Sequence, residues 1–138
     1  NAFNKVMDCF GMPKKTKEQQ KTKALATASA TRLATAVPLS VLVKTPALLK
    51  LAREVAEIGN VNSLSDAGVA GLTALAGAEG AYYNVLINLE ALKDMDQSED
   101  SEFYAKTLAD AQKAMVLCEE NAKLVKDFVR GKLESAVQ

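Results

Sequence analysis

Apolar positions along this 138-residue chain recur at three- and four-residue intervals, and no stretch of four or more alternates cleanly between strand-type flanks. That is the period of an α-helix. Phe3, Val6, Met7 and Phe10 mark one face of a first helix that ends near Gly11, with Met12-Pro13 as the turn. No capping residue precedes that face within the chain, so this helix is expected to begin ahead of Asn1. Thr16 and Gln19 form a Thr-x-x-Gln capping box. The second helix that follows runs to about position 36, and Ala24, Thr27, Ala28, Thr31, Ala34 and Thr35 give it a small-residue interior. Pro38 ends or kinks it. A third helix is expected over 39–58, with Leu48, Leu51, Ala52, Val55 and Ile58 facing the core. Within it, Thr45 either caps a new start with Pro46 in the first position, or Pro46 kinks a continuous helix near Leu42. The fifth helix runs from about 101 to the chain end. Leu108, Ala111, Met115, Cys118, Ala122, Val125 and Val129 form its packing seam, widened by Leu117, Leu124 and Phe128.

The fourth helix, over about 66–92, differs from the rest. From 67 to 89 only Glu79 is charged, which is long enough for a membrane span. Its alanines and glycines, Glu79, Asn84, Asn88 and the lack of basic flanks argue instead for a central helix inside a protein. Gly68, Gly71, Gly77 and Gly80 would each cost about 1 kcal/mol in an exposed helix. Tight packing, or the approach of a ligand, must account for them. The expected architecture is therefore all-α. One domain over 1–138 forms a bundle of about five antiparallel helices around a central Gly/Ala-rich one, paired as an intertwined homodimer.

A chain of this size buries roughly 68–70% of its unfolded surface, enough for a real core. Lys plus Arg and Asp plus Glu both number 17, so no net field draws nucleic acid. There is no His, which removes His-based triads and leaves transition-metal ligation without its commonest donor. Cys9 and Cys118 lack metal-binding spacing and read as buried thiols of a reducing, cytoplasmic compartment. Asp94-x-Asp96-x-Ser98 opens like a calcium loop, but Glu99 replaces the required Gly and Ala105 the closing Glu, so no metal is expected. Lys14, Lys15, Lys17, Lys21 and Lys23 cluster at a helix start, opposed only by Glu18. They are either a solvated end or an attraction for a polyanion.

Candidate chemistry concentrates in two places. Gly59 can close one helix with a positive φ, Ser63 or Ser65 can cap the next, and Asp66 sits at the positive end of its dipole. With Asn60 and Asn62, this turn gathers two amides, two hydroxyls and a carboxylate around one helix start. Asn84 and Asn88 share a face in the apolar helix. Their carboxamides either bond neighbouring helices or line a pocket. Adjacent Tyr82 and Tyr83 point apart, so one is core and the other is free to stack on a ring.

The asparagine-rich turn Gly59-Asn60-Val61-Asn62-Ser63-Leu64-Ser65-Asp66 resembles the signature of the cyclodeaminase/cyclohydrolase family, the type found at the C-terminus of formiminotransferase-cyclodeaminase. Gly80-Ala81-Tyr82-Tyr83-Asn84-Val85-Leu86-Ile87-Asn88-Leu89 followed by Lys93-Asp94 resembles it too, as do Ala2-Phe3-Asn4-Lys5-Val6-Met7, Met12-Pro13-Lys14 and Ala36-Val37-Pro38-Leu39. The resemblance runs in order along essentially the whole chain. It implies one helix through the Thr45-Pro46 segment, hence a kink. It implies a reduced folate as substrate, a tetrahydrofolate derivative with no permanently bound cofactor, and polyglutamate as the polyanion for the lysines. A cyclodeaminase closes 5-formimino-tetrahydrofolate to 5,10-methenyl-tetrahydrofolate with loss of ammonia, and this is the expected activity. A cyclohydrolase, which opens the methenyl ring with water, is the alternative, and a non-catalytic helical dimerisation module is the competing class. The resemblance also implies a further N-terminal portion, with an acid–base aspartate just ahead of the Ala2-Phe3 pair. Asp66 is the best acidic candidate on the chain itself. Asn60, Asn62, Ser65, Asn84 and Asn88 are the expected folate contacts, at least one of the last two lining the pocket.

Overall fold

In the computed structural model, which describes residues 1–93 and 100–138, the chain is all-α, with no strand among the described residues. Helix α1 (Ala2–Phe10) is followed by α2 (Lys17–Ile58), a single 3₁₀ turn (Val61–Ser63), α3 (Leu64–Lys93) and α4 (Asp100–Ala136). The capping box forms as expected: Gln19 N–H donates to Thr16 Oγ1, and the Gln19 side chain accepts from Thr16 N–H. Asn1 caps α1, its Oδ1 accepting from Asn4 N–H at 2.9 Å, where no cap within the chain was expected.

Among the described residues four α-helices stand where about five were expected, because α2 passes through Pro38 and Pro46 without a break. Each proline removes one N–H from the helix ladder and frees the carbonyl four residues earlier. Those carbonyls belong to Ala34 and Leu42, and neighbouring helices supply donors to both. Asn88 Nδ2 on α3 donates to Ala34 O at 3.3 Å. Cys118 Sγ on α4 lies 3.9 Å from Leu42 O, a weak thiol bond. Burial pushes the Cys118 thiol above its ordinary range, with the charge of Glu119 adding to the shift. The sulfur therefore keeps the proton it donates. Interruptions in the sequence become helix–helix contacts in the fold.

The core lies between α2, α3 and α4. Leu42, Leu49, Val85, Leu89, Cys118, Val125 and Thr35 are its largest fully buried side chains. The short turn after Ile58 makes α2 and α3 antiparallel. Gly68 faces Val129 and Gly71 faces Val125, the opposed register of antiparallel α3 and α4. A Cβ on either glycine would come within 2.9 Å of a valine methyl, so these two glycines let α4 approach. Gly77 and Gly80 have nothing within 4 Å of a Cβ position, so the single chain gives them no packing role.

Three expected faces differ. On α2 only Ala52 of the expected core stripe is buried, while Leu48, Leu51, Val55 and Ile58 are exposed. The core takes Leu42, Thr45, Leu49 and Ala52 instead, because α2 carries apolar residues on two faces. The α4 seam is buried along most of its length, yet Leu117 and Leu124 stay exposed. On α1, Cys9 is buried and Phe3, Met7 and Phe10 are exposed. Both cysteines are buried free thiols, as expected. Among the described residues α2, rather than the 67–89 stretch, is the helix long and apolar enough to cross a membrane by length and composition. Its Leu42 and Leu49 nevertheless pack in the core described above.

The proline contact makes a paired prediction. Asn88→Leu should cost about 1–3 kcal/mol in urea melts, because Ala34 O loses its donor. Pro38→Ala restores a backbone N–H at that carbonyl, so the double variant should recover part of the loss as a coupling energy. Strictly additive costs would show that the bond contributes nothing. The glycines make another: Gly71→Ala should destabilise by about 1–3 kcal/mol through overpacking, whereas Gly131→Ala, with open space around it, should gain up to about 1 kcal/mol of helix propensity.

Candidate functional site

The turn between α2 and α3 is built by a close backbone approach. Gly59 has φ −77° and ψ −173°, extended rather than the positive φ expected of it. Its N–H bonds Val55 O at 2.9 Å, and a Cβ would lie 2.3 Å from that same oxygen. Glycine is needed here for space. Asn60 Oδ1 accepts from Asn62 N–H at 2.9 Å, and Ser63 N–H donates to Asn60 O at 2.8 Å. The cap at this turn is therefore Asn60, on the 3₁₀ turn, and not Ser63 or Ser65. Ser65 and Asp66 lie inside the first turn of α3, and Asn60, Asn62, Ser65 and Asp66 are all exposed. The Asp66 carboxylate keeps the expected position at the positive end of the α3 dipole.

Asn84 and Asn88 stand at the other end of α3, on a cleft of about 590 Å³ shared by α1, α2 and α3. Phe3, Val6, Val37 and Pro38 give it apolar walls, and Asn1, Asn84 and Asn88 are its polar lining. A few polar groups on an apolar concavity of this size is the usual form of a small-molecule site. Asn84 Nδ2 donates to Gly80 O at 2.8 Å and Asn88 Nδ2 to Ala34 O. Each carboxamide keeps its Oδ1 without a protein partner among the described residues. Both readings of Asn88 hold at once, since its nitrogen bonds a neighbouring helix while the residue lines the cleft. No lining residue carries a titratable side chain.

The expected site residues thus fall into two groups. Asp66 and Asn84 are 18 residues apart on one helix, about 27 Å at 1.5 Å per residue, so a single chain does not bring them around one small ring. Tyr82 packs against the core, and Tyr83 is exposed. Lys23, taken in the sequence with the other lysines, has a structural role instead. Its Nζ donates to Phe10 O at 2.9 Å and Met12 O at 3.4 Å, at the negative end of α1. It pins the helix that forms one wall of the cleft. The Asp94–Ser98 stretch lies outside the described residues, and no group of three potential metal ligands occurs among the described ones. The sequence reading missed the walls Phe3, Val6, Val37 and Pro38. The only signal was that those residues belong to the resembling segments.

The sequence pattern of the formiminotransferase-cyclodeaminase family matches residues 1–112. Over 99 residues the chain is 41% identical to the methenyltetrahydrofolate cyclohydrolase of Methylorubrum extorquens, covering 72% of this chain and 48% of that one. Over 93 residues it is 38% identical to the formimidoyltransferase-cyclodeaminase of Mus musculus, covering 67% of this chain and 17% of the relative. For the protein of that name from Gallus gallus the identity is 30% over 117 residues, covering 84% and 22%. The chain spans about half the length of the bacterial relative and about a fifth of the vertebrate ones.

Lys23→Gln should loosen α1 while leaving the core intact. Amide hydrogen exchange across α1 should quicken by about tenfold or more, with protection around Leu42 and Val85 unchanged. Equal α1 protection in both proteins would show that Lys23 does not hold it.

Proposed function

We propose, from the premise that this chain belongs to the formiminotransferase-cyclodeaminase family, that it is a folate one-carbon enzyme whose reduced pterin lies in the Asn84–Asn88 cleft. One observation carries the placement: two part-committed carboxamides on an apolar-walled cleft of about 590 Å³, inside the matched residues. A pterin presents an amino group and a ring N–H side by side, and the two free Oδ1 atoms are acceptors for such donors. Phe3, Val6, Val37 and Pro38 offer the ring its apolar contact.

The activity proposed is cyclodeamination. The N10 nitrogen of a protonated 5-formimino-tetrahydrofolate adds to the formimino carbon and gives a tetrahedral centre. The C–N bond to the former imino nitrogen then breaks, and that nitrogen leaves as ammonia carrying the proton from N10. One acid–base group that takes and returns that proton suffices. The printed name of the Methylorubrum extorquens relative favours a second reading, hydrolysis of the methenyl bridge. There water adds to the same carbon, the N5 bond breaks, and one proton is released. The asparagines would hold the ring in either direction.

The methenyl chromophore separates the two. A cyclodeaminase makes it grow from the formimino substrate, and a cyclohydrolase makes it decay faster than the uncatalysed rate. Asn84→Ala should weaken reduced-folate binding by about tenfold, the loss of one hydrogen bond of about 1–1.5 kcal/mol. Its circular dichroism should be unchanged, since Asn84 is exposed. Unaltered affinity in that variant would move the pterin elsewhere.

A further inference from the structure

Asn1 is the third polar residue on the Asn84–Asn88 cleft, and it lines the cleft from α1 rather than from α3. Its Oδ1 is committed, accepting the Asn4 N–H at 2.9 Å as the cap of α1. Only the oxygen of a carboxamide can accept from a backbone N–H, so the cap decides which end of Asn1 is left over. That end is Nδ2, a donor without a protein partner among the described residues. On α3 the reverse holds. Asn84 Nδ2 bonds Gly80 O and Asn88 Nδ2 bonds Ala34 O, which leaves two acceptors. The hydrogen bonds of the scaffold thus sort three identical side chains into two acceptors and one donor.

The donor is held in place as the acceptors are. Helix α1 has nine residues and buries only Cys9, and a helix so short is marginal unless it is anchored. Asn1 caps one end, and Lys23 Nζ docks on Phe10 O and Met12 O at the other. Ala2, Phe3 and Val6 line the cleft beside Asn1, so the cap and the apolar wall belong to one anchored element.

A 2-amino-4-oxopyrimidine edge carries an amino group, a ring N–H and a carbonyl oxygen in a row. It reads donor, donor, acceptor, and its complement is acceptor, acceptor, donor. Asn84, Asn88 and Asn1 supply that complement. Pterins and guanine share the edge. A 2,4-diamino ring lacks it, because an amino group replaces the carbonyl and the adjacent ring nitrogen becomes an acceptor. On an apolar-walled cleft a mismatched polar group loses its water without gaining a partner, so the set selects by what it refuses as well as by what it binds.

We propose that Asn1 is a specificity-determining residue of this cleft: its Nδ2 donates to the 4-oxo oxygen of a ring whose amino and N–H groups bond Asn84 and Asn88 Oδ1. The choice of a pterin over guanine rests on the folate reading of the cleft.

Asn1→Asp tests the role. Asp caps a helix as well as Asn does, and one carboxylate oxygen still accepts the Asn4 N–H. The atom left for the cleft becomes an acceptor. By calorimetry the variant should bind 5-formyl-tetrahydrofolate about tenfold or more weakly. Aminopterin, which differs from folic acid in its 4-amino group, should move the opposite way and bind the variant about tenfold tighter than the wild type. Amide exchange across α1 should be no faster, which separates lost recognition from a loosened helix. Unchanged affinity for 5-formyl-tetrahydrofolate overturns the proposal. So does aminopterin that gains nothing, or a parallel loss of both ligands, since either would mean that Asn1 does not read the 4-position. Guanosine separates the edge from the pterin. If the wild type binds guanosine and no reduced folate, and Asn1→Asp abolishes that binding, the folate reading falls and the role of Asn1 stands. If it binds neither, both fall.

Discussion

Two backbone carbonyls, at Ala34 and Leu42, organise this structure. Pro38 and Pro46 strip them of their helical donors, and an unpaired carbonyl in a packed helix is costly. The chain meets that cost from outside α2, with a carboxamide on α3 and a thiol on α4. A helix of 42 residues can then run unbroken beside both neighbours. It also follows that α3 and α4 cannot slide along α2 freely, because each is tied to a particular carbonyl. The weaker tie, at 3.9 Å through sulfur, sits in the fully buried layer where Leu42 and Cys118 exclude water. The stronger one, through Asn88, sits at the edge of the cleft.

That placement links stability to the candidate site. Asn88 cannot turn its amide nitrogen toward a ligand without abandoning Ala34, so its side chain is oriented before anything binds. Asn84, one turn earlier, is oriented the same way by Gly80 O. Two acceptors held by the scaffold are worth more to a ligand than two free rotors, since the ordering cost has already been met in folding. Lys23 performs a similar service for the opposite wall by docking on the last carbonyls of α1. The cleft is a product of helix ends and helix interruptions rather than of a loop.

The glycines of α3 divide by what they touch. Gly68 and Gly71 are spoken for by Val129 and Val125, so the α3–α4 contact explains them within one chain. Gly77 and Gly80 are open, and they lie on or beside the apolar face. A helix that is apolar all round needs cover on every side, and α2 and α4 cover only part of this one. Val37, Val41, Leu48 and Val55 of α2 are likewise left exposed by the single chain.

The sequence by itself determined the helical class, the capping box at Thr16, the two buried thiols and the turn after Ile58, because these depend on local period and local hydrogen bonds. Its resembling segments also pointed to the family. Local period could not say which of two apolar faces of α2 turns inward. It therefore assigned Leu48, Leu51, Val55 and Ile58 to the core, where only Ala52 is buried. Nor could it see that α2 survives its prolines, since the donors that rescue the helix lie 54 and 76 residues away. Gly59 was read as a positive φ, yet it serves a steric contact with Val55 O that only the folded turn reveals. The asparagine pairs at the two ends of α3 were read as one site, because sequence gives residue types and a helix gives distance. Tertiary structure decided these points because each depends on which groups the packing brings within a few ångströms of one another.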